Sequence, residues 1–309
     1  MNFNLEQGVP IRKQLNRFKW YYLMILPILV WYIMFSYVPM FGISIAFFDY
    51  NAYQGFAGSQ WYGFHWFEYL LDDQLLRIAF VNSLIINLQC LIFSFPMPII
   101  LALLLNECRA IKFKRTVQTI SYLPHFISWA IVGGLVYSLL SPSSGFVNTV
   151  IKALGGEPIY FMGDSRYTRS IIVISGIWKG IGWGSILYLA ALTGINQELY
   201  EAATLDGANK LQQVWHITLP GISHIISMQL IFYFTGFFDV GFEQTFNLVN
   251  PVTYDTGLVI SLLVYNKGLK QAQFEFATAV GLLQSIMGMI MLVTANGITR
   301  KISEDNSLF

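Results

Sequence analysis

The sequence predicts an all-α integral membrane protein with six transmembrane helices. Three observations carry that expectation. Of 309 residues, 55% are hydrophobic and only 11% are charged, whereas a soluble domain carries about 25% charged residues. Charge-free runs recur along the chain, each long enough for the roughly 20 apolar residues that cross a bilayer core as a helix. Lys and Arg gather in alternate connecting segments, which is the bias that orients membrane helices.

The first run, Trp20–Phe48, holds 29 residues without Asp, Glu, Lys or Arg. The apolar core of a signal peptide spans only about 7–15 residues, so this run is expected to remain as a helix over 21–48. Residues 1–20 would form a cytoplasmic segment before it. Asp49–Arg77 follows as an outer loop crowded with Tyr50, Tyr53, Phe56, Trp61, Tyr62, Phe64, Trp66, Phe67 and Tyr69. Aromatic rings favour the headgroup zone, so an interfacial belt explains the loop. A docking surface for an outer partner is the sharper alternative.

Ile78–Asn106 is expected to form the second helix, over 78–106. Thr116–Ile151 is charge-free, but Ser141-Pro142-Ser143-Ser144-Gly145 must end a helix there, which leaves a third span at 117–140. Ser170–Gln197 is broken only by Lys179 and places the fourth helix near 169–194. Leu211–Phe238 and Phe276–Thr299 supply the fifth and sixth, near 217–239 and 276–299. Residues 78–299 would then be a five-helix core, and 300–309 a cytoplasmic tail. Between the last two spans, Thr256–Tyr265 is apolar but too short to cross. It is expected to lie at the interface or to re-enter, with any irregular backbone buried in protein or lining water.

With six spans both termini share one side. That side carries eleven basic residues, namely Arg12, Lys13, Arg17, Lys19, Arg109, Lys112, Lys114, Arg115, Lys210, Arg300 and Lys301. The other side carries six, namely Arg77, Lys152, Arg166, Arg169, Lys267 and Lys270. The positive side faces the cytoplasm. A net charge of +1 gives no global case for nucleic acid. Cys90 and Cys108 are 18 residues apart. On a continuous helix that separation is about 27 Å, so no disulfide framework is implied.

Lys179 is the one formal charge inside a predicted span, within Trp178-Lys179-Gly180-Ile181-Gly182-Trp183-Gly184. Such a lysine faces a bundle interior or water cavity, unless it snorkels to an interface. Its depth favours the cavity. The glycines allow close helix approach and could loosen the helix locally. Lys179 and Trp183, with Asn87 and Phe237, are the candidates for lining a solute path, where an indole offers an apolar face and amides suit hydroxyls. Asn82, Asn87, Gln89, Gln229 and Gln284 are equally explained by hydrogen bonds between helices. His65, His125, His216 and His224 show no metal-ligand spacing, and no nucleophile elbow or dinucleotide fingerprint occurs. No Gly-Lys dipeptide exists, so the chain has no P-loop for ATP. An enzyme is therefore the weakest reading.

The cytoplasmic loop 196–216 is the polar interruption with most structure. Asn196 can cap a helix, and Glu198 in its first turn suits the dipole. Leu199, Ala202 and Ala203 make a narrow face of small and apolar residues. Gly207 is placed to stop the helix. A second helical stretch would run through Lys210–Trp215, and Pro220 would sit in the first turn of the next span. Helix, glycine turn and helix together make a knuckle with an acidic flank of Glu198, Glu201 and Asp206.

These residues carry a resemblance. Glu201-Ala202-Ala203, three residues, Gly207, nine residues and Ile217-Thr218-Leu219-Pro220 resemble the EAA motif of permease subunits in binding-protein-dependent ABC importers. The longer "ELYEAATLDGAN" is similar to the MalF-like carbohydrate branch, and "YYLMILPILVWYIMFSYVPMFGISIAFFDYN" resembles the LplB-type permeases of oligosaccharide and glycan uptake. The resemblance covers residue 78 to the end, plus one helix before it. It implies a type I importer permease with Glu201, Ala202, Ala203, Asp206, Gly207, Leu219 and Pro220 as the coupling core seated on an ATPase. It further implies a second homologous permease chain, two cytoplasmic ATPase subunits that bind ATP and Mg²⁺, an extracellular solute-binding lipoprotein and an oligosaccharide substrate. The chain itself would bind no cofactor or metal, and it would lie in a bacterial plasma membrane. A self-contained secondary transporter or channel is the alternative. Such a protein would pair broken helices in its two halves, and the glycines of the fourth helix have no evident counterpart.

Overall fold

The computed structural model describes residues 18–302. Most of the expected segment 1–20 and most of the tail 300–309 lie outside it. The chain is helical almost throughout, and the spans follow the charge-free runs. Four unbroken helices are long and apolar enough to cross a membrane: α1 (Lys19–Phe47), α3 (Gln74–Glu107), α7 (Ser165–Leu192) and the apolar part, Phe274–Gly297, of α14 (Phe274–Ile302). Two bent pairs bring the number to six if each pair counts as one span.

The bent pairs correct two of the expected spans. The third is not a continuous helix over 117–140. It consists of α4 (Ile111–Phe126) and α5 (Trp129–Leu140), which meet at 105°. Pro124 lies at the break, within a tight 3₁₀ turn at Leu123–Phe126, and Ile127 and Ser128 are extended. Proline removes a backbone donor and clashes with the preceding turn. Ser128 then restarts the helix as a cap, accepting from the Ile131 N–H. The fifth span begins earlier than 217 and is also broken. Here α9 (Lys210–Gly221) and α10 (Ser223–Thr235) meet at 63° around Ile222.

Between α1 and α3 the outer loop is ordered. A short antiparallel pair, β1 (Phe48–Asp49) and β2 (Gln60–Trp61), precedes α2 (His65–Asp72). Aromatic rings pack on one another there. Phe47 stacks on Trp61 with centroids 5.8 Å apart, and the Trp66 indole N–H donates to the Phe48 carbonyl at 2.9 Å. Asp73 caps α3 by accepting from the Leu76 N–H and pairs with Lys267, whose ammonium lies 4.3 Å from the Phe276 ring centroid. Tyr53, by contrast, stands wholly exposed at the loop tip. On the same side α6 (Phe146–Ala153) precedes α7, and Asp164 caps α7. Hydrogen bonds from Arg166 hold the Asp164 carboxyl below its ordinary pKa.

After α10, helix α11 (Phe242–Leu248) leads into α12 (Tyr254–Gly257) and α13 (Ile260–Val264). This region holds Thr256–Tyr265, whose apolar residues are turned into the protein. Leu258, Val259, Ile260, Leu262 and Leu263 are buried in the main core beside Ile86, Ile172, Phe237, Phe276 and Val280. A non-helical backbone at that depth must find partners in protein. Asn82 supplies them, donating from its amide to the carbonyls of Leu258 at 3.0 Å, Asp255 at 3.2 Å and Tyr254 at 3.3 Å. The Asn82 oxygen accepts from Arg169 at 2.9 Å, and Arg169 also reaches the Thr256 carbonyl. The Ser83 hydroxyl accepts from the Ile260 N–H.

At the opposite end, a second apolar cluster joins the ends of α3 and α7 to the α9–α10 break. It contains Ile99, Ala102, Tyr188, Leu192 and Ile222. The later part of α3, Pro96–Glu107, packs along α7.

Candidate functional site

The polar loop after α7 folds as a knuckle. Helix α8 (Gln197–Leu205) starts at Asn196, whose side chain accepts from the Glu198 N–H at 3.0 Å. It stops at Gly207, which has φ +81. In that left-handed conformation the Ala208 N–H bonds the Ala203 carbonyl at 2.9 Å and the Gly207 N–H bonds the Thr204 carbonyl at 3.1 Å. This pair of bonds is the Schellman closure that a C′ glycine permits. Asn209 and Gln212 then form a reciprocal capping box that opens α9.

Helix α9 extends beyond the expected Lys210–Trp215 stretch. It runs through a π turn at Val214–Thr218, where the Leu219 N–H bonds the Val214 carbonyl, and on through Leu219 and Pro220. Pro220 therefore lies inside a continuous bent helix. The widened turn before it and the break at Ile222 after it absorb the proline.

Two side-chain bonds latch α8 to α9. Tyr200 and Thr218 share a hydrogen bond of 2.9 Å between their hydroxyls, and the Gln213 amide donates to the Thr204 hydroxyl at 2.9 Å. Thr218 and Gln213 are buried. The sequence reading missed Tyr200, Gln213 and Thr218, because no local spacing shows that residues 18 apart meet across a turn. Lys210 pairs with Glu107 at 3.0 Å and so ties the knuckle to the end of α3.

The outer surface of the knuckle is open. Glu201, Ala202, Asp206, Gly207 and Pro220 are exposed, while Ala203 and Leu219 are half-buried. Leu205 is 89% exposed, with Leu211 at 67% and Leu199 at 52%. A groove between α8 and α9 is lined by Ala203, Asp206, Gly207, Gln212 and His216. The exposed leucines thus lie at a polar helix end, beside an acidic flank and a groove.

The second candidate region is the Leu123–Ser128 break. The Lys179 ammonium donates to the carbonyls of His125 and Ile127, each at 2.7 Å, and of Pro124 at 3.4 Å. It also lies 5.5 Å from the Trp129 ring centroid. The His125 and Ile127 carbonyls at the helix break thus receive the cation at the middle of the span, while the Pro124 carbonyl also accepts the Ile127 N–H at 3.2 Å. The Trp183 ring stacks face to face on His125, 4.5 Å apart and 1° from parallel, with Phe126 edge-on at 5.6 Å. Lys179, His125, Trp129 and Glu243 line one open cavity of about 500 Å³. Helix α7 stays unbroken through its glycines. At Gly182 a Cβ would come within 2.0 Å of the Ser121 carbonyl oxygen, so α4 and α7 touch backbone to backbone.

Asn87 and Phe237 lie elsewhere. Both are buried, and both meet Tyr233. The Tyr233 hydroxyl donates to the Asn87 carbonyl at 2.7 Å, and its ring lies 6.1 Å from that of Phe237. The four path candidates therefore form two pairs, one at the helix break and one inside the main core.

Residues 94–303 match the family described as binding-protein-dependent transport system inner membrane component. The chain belongs to this family. The permease is similar to Protein LplB of Bacillus subtilis (strain 168), with 40% identity over 300 residues that cover 97% of this chain and 94% of that one. It is equally similar to the polygalacturonan/rhamnogalacturonan transport system permease protein YteP of the same organism, at 40% over 303 residues, covering 98% and 94%. Among solved structures, it matches a chain of a bacterial alginate ABC transporter in complex with alginate pentasaccharide-bound periplasmic protein. That match has a TM-score of 0.89 and 39% identity over 95% of this chain and 98% of the other. The permease is thus a non-catalytic membrane subunit of an importer, and the type I permease architecture expected from the motif is its fold.

Proposed function

We propose that the permease forms half of the path by which an ATP-driven importer moves oligosaccharides or larger glycans across a bacterial plasma membrane. The other half is a second homologous permease chain. Two cytoplasmic ATPase subunits bind ATP and Mg²⁺ and seat the knuckle of α8 and α9. An external solute-binding protein delivers the sugar to the outer end. Both termini and the knuckle are cytoplasmic, which agrees with the excess of basic residues on that side. The similarity to YteP and to the alginate transporter chain supports a carbohydrate cargo, and fragments of acidic polysaccharides are the first candidates.

The observation that carries the coupling role is the open knuckle. Glu201, Ala202, Ala203, Asp206 and Gly207 sit on a closed turn, and Leu219 and Pro220 transmit its position into the fifth span. An exposed carboxylate at Glu201 suits a basic group of an ATPase, and the alanines admit a close wall. Movement of the knuckle would pass through the Tyr200–Thr218 latch into α9 and α10.

On the solute path, Lys179 acts by holding the Leu123–Ser128 break, and Trp183 with His125 offers the ring faces. Asn87 and Phe237 come into play as the helices part around Tyr233. The test is uptake by the reconstituted transporter carrying Glu201→Lys, with polyuronate fragments and neutral oligosaccharides compared. Loss of uptake and of substrate-stimulated ATP hydrolysis, with assembly retained, is expected. Undiminished uptake contradicts the coupling role.

A further inference from the structure

Four cations crowd the segment between α3 and the body of α4: Arg109, Lys112, Lys114 and Arg115. No acidic residue lies between Glu107 and Glu157 to balance them. Arg109, Lys112 and Arg115 are exposed and Lys114 is half-buried. Among the described residues the ion pairs involve Arg166, Lys210 and Lys267 and none of these four. The cluster follows directly on the end of α3, one of the helices long and apolar enough to cross a membrane.

Large apolar side chains stand beside the charges. Phe113 is 63% exposed, and Ile120 is 67% exposed two turns further along. Residues seven apart share one side of a helix. An apolar stripe therefore runs from the basic cluster along α4 toward the break at Pro124. This is the profile of a helix that meets headgroups at one end and acyl chains along its length. A soluble partner would explain the cations but leave the stripe uncovered.

We propose that this segment is a binding site for anionic phospholipid headgroups. The lipid phosphate is held by Arg109, Lys112 and Arg115, and Phe113 lies against the upper part of the chains. Guanidinium groups match phosphate oxygens with paired donors, and basic clusters next to a span attract anionic lipid at about 1 kcal/mol per cation. The site adjoins Glu107, which tethers the knuckle through Lys210. A headgroup bound here would therefore bear on the position of the coupling segment. This inference rests on the membrane placement of α4 and is independent of which ATPase or sugar the permease serves.

The test is lipid retention by the assembled transporter in nanodiscs of phosphatidylcholine with a minor fraction of phosphatidylglycerol, read by native mass spectrometry. Wild type should retain phosphatidylglycerol over phosphatidylcholine. Each double variant, R109Q/K112Q and K114Q/R115Q, removes two cations and should lose about thirtyfold of that enrichment. Lys152→Gln at the other end of the molecule and the charge-preserving K112R/K114R should keep it. Enrichment unchanged in both double variants, or lost equally in Lys152→Gln, overturns the site. Loss of the ATPase subunit from the double variants with lipid enrichment intact assigns the patch to protein docking and overturns it as well.

Discussion

The Lys179 ammonium lies 2.7 Å from the His125 carbonyl oxygen, across the gap between the fourth span and the broken third one. A cation near the middle of a span is costly unless paired, and freed carbonyls at a helix break are costly unless they receive donors. Each solves the other's problem. Lys179→Met should leave the His125 and Ile127 carbonyls without this donor. A fully buried unpaired carbonyl costs about 1–3 kcal/mol, and these part-buried carbonyls on an open cavity cost less. We expect a lower melting temperature of the purified transporter and reduced uptake, with Lys179→Arg recovering part of both.

Gly182 fixes how closely α4 and α7 approach. Because a Cβ there would meet the Ser121 carbonyl at 2.0 Å, Gly182→Val must push two backbones apart. Gly180, whose Cβ would meet nothing within 4 Å, is the matched control. Gly182→Val should abolish stable assembly by size-exclusion chromatography. Gly180→Ala should assemble as wild type.

Tyr200→Phe removes one hydroxyl and leaves the ring. The Thr218 hydroxyl retains its bond to the Gln213 carbonyl at 3.3 Å, so the stability loss should stay near 0.5–1.5 kcal/mol. The larger expected effect is on transmission. Basal ATP hydrolysis should persist while its stimulation by loaded binding protein falls. Equal stimulation in variant and wild type would remove the latch from the mechanism.

Gly207 adopts φ +81 with open space around its Cβ position. Substitution there costs backbone strain alone. Gly207→Ala should destabilise by about 1 kcal/mol, and Gly207→Val by more, because β-branched residues tolerate positive φ least. Hydrogen exchange confined to residues 203–209 would register both changes.

The six-span architecture was legible because charge is so costly in a bilayer that its absence marks each crossing. The knuckle was legible for a local reason: Asn196 and Gly207 act within one turn of themselves. What stayed hidden depends on contacts between distant segments. Pro124 stands in an apolar run and signals a break by its own chemistry, yet the 105° bend follows only from what α5 packs against. The partners of Lys179 are main-chain carbonyls, which no residue pattern displays. Asn82 read as one amide among several in the spans, and only the fold reveals that it holds the carbonyls of Tyr254, Asp255 and Leu258. Tyr200 lies inside the recognised motif, but its partner Thr218 is reached only after the chain has turned.

The central claim is that the knuckle of α8 and α9 seats an ATPase subunit. It is tested most directly by a photo-cross-linking residue at position 205, where Leu205 is 89% exposed, with position 53 at the other end of the molecule as control. The account predicts a covalent adduct between position 205 and the ATPase subunit in the assembled transporter, and none from position 53. An ATPase adduct at position 53 with none at position 205 would contradict it.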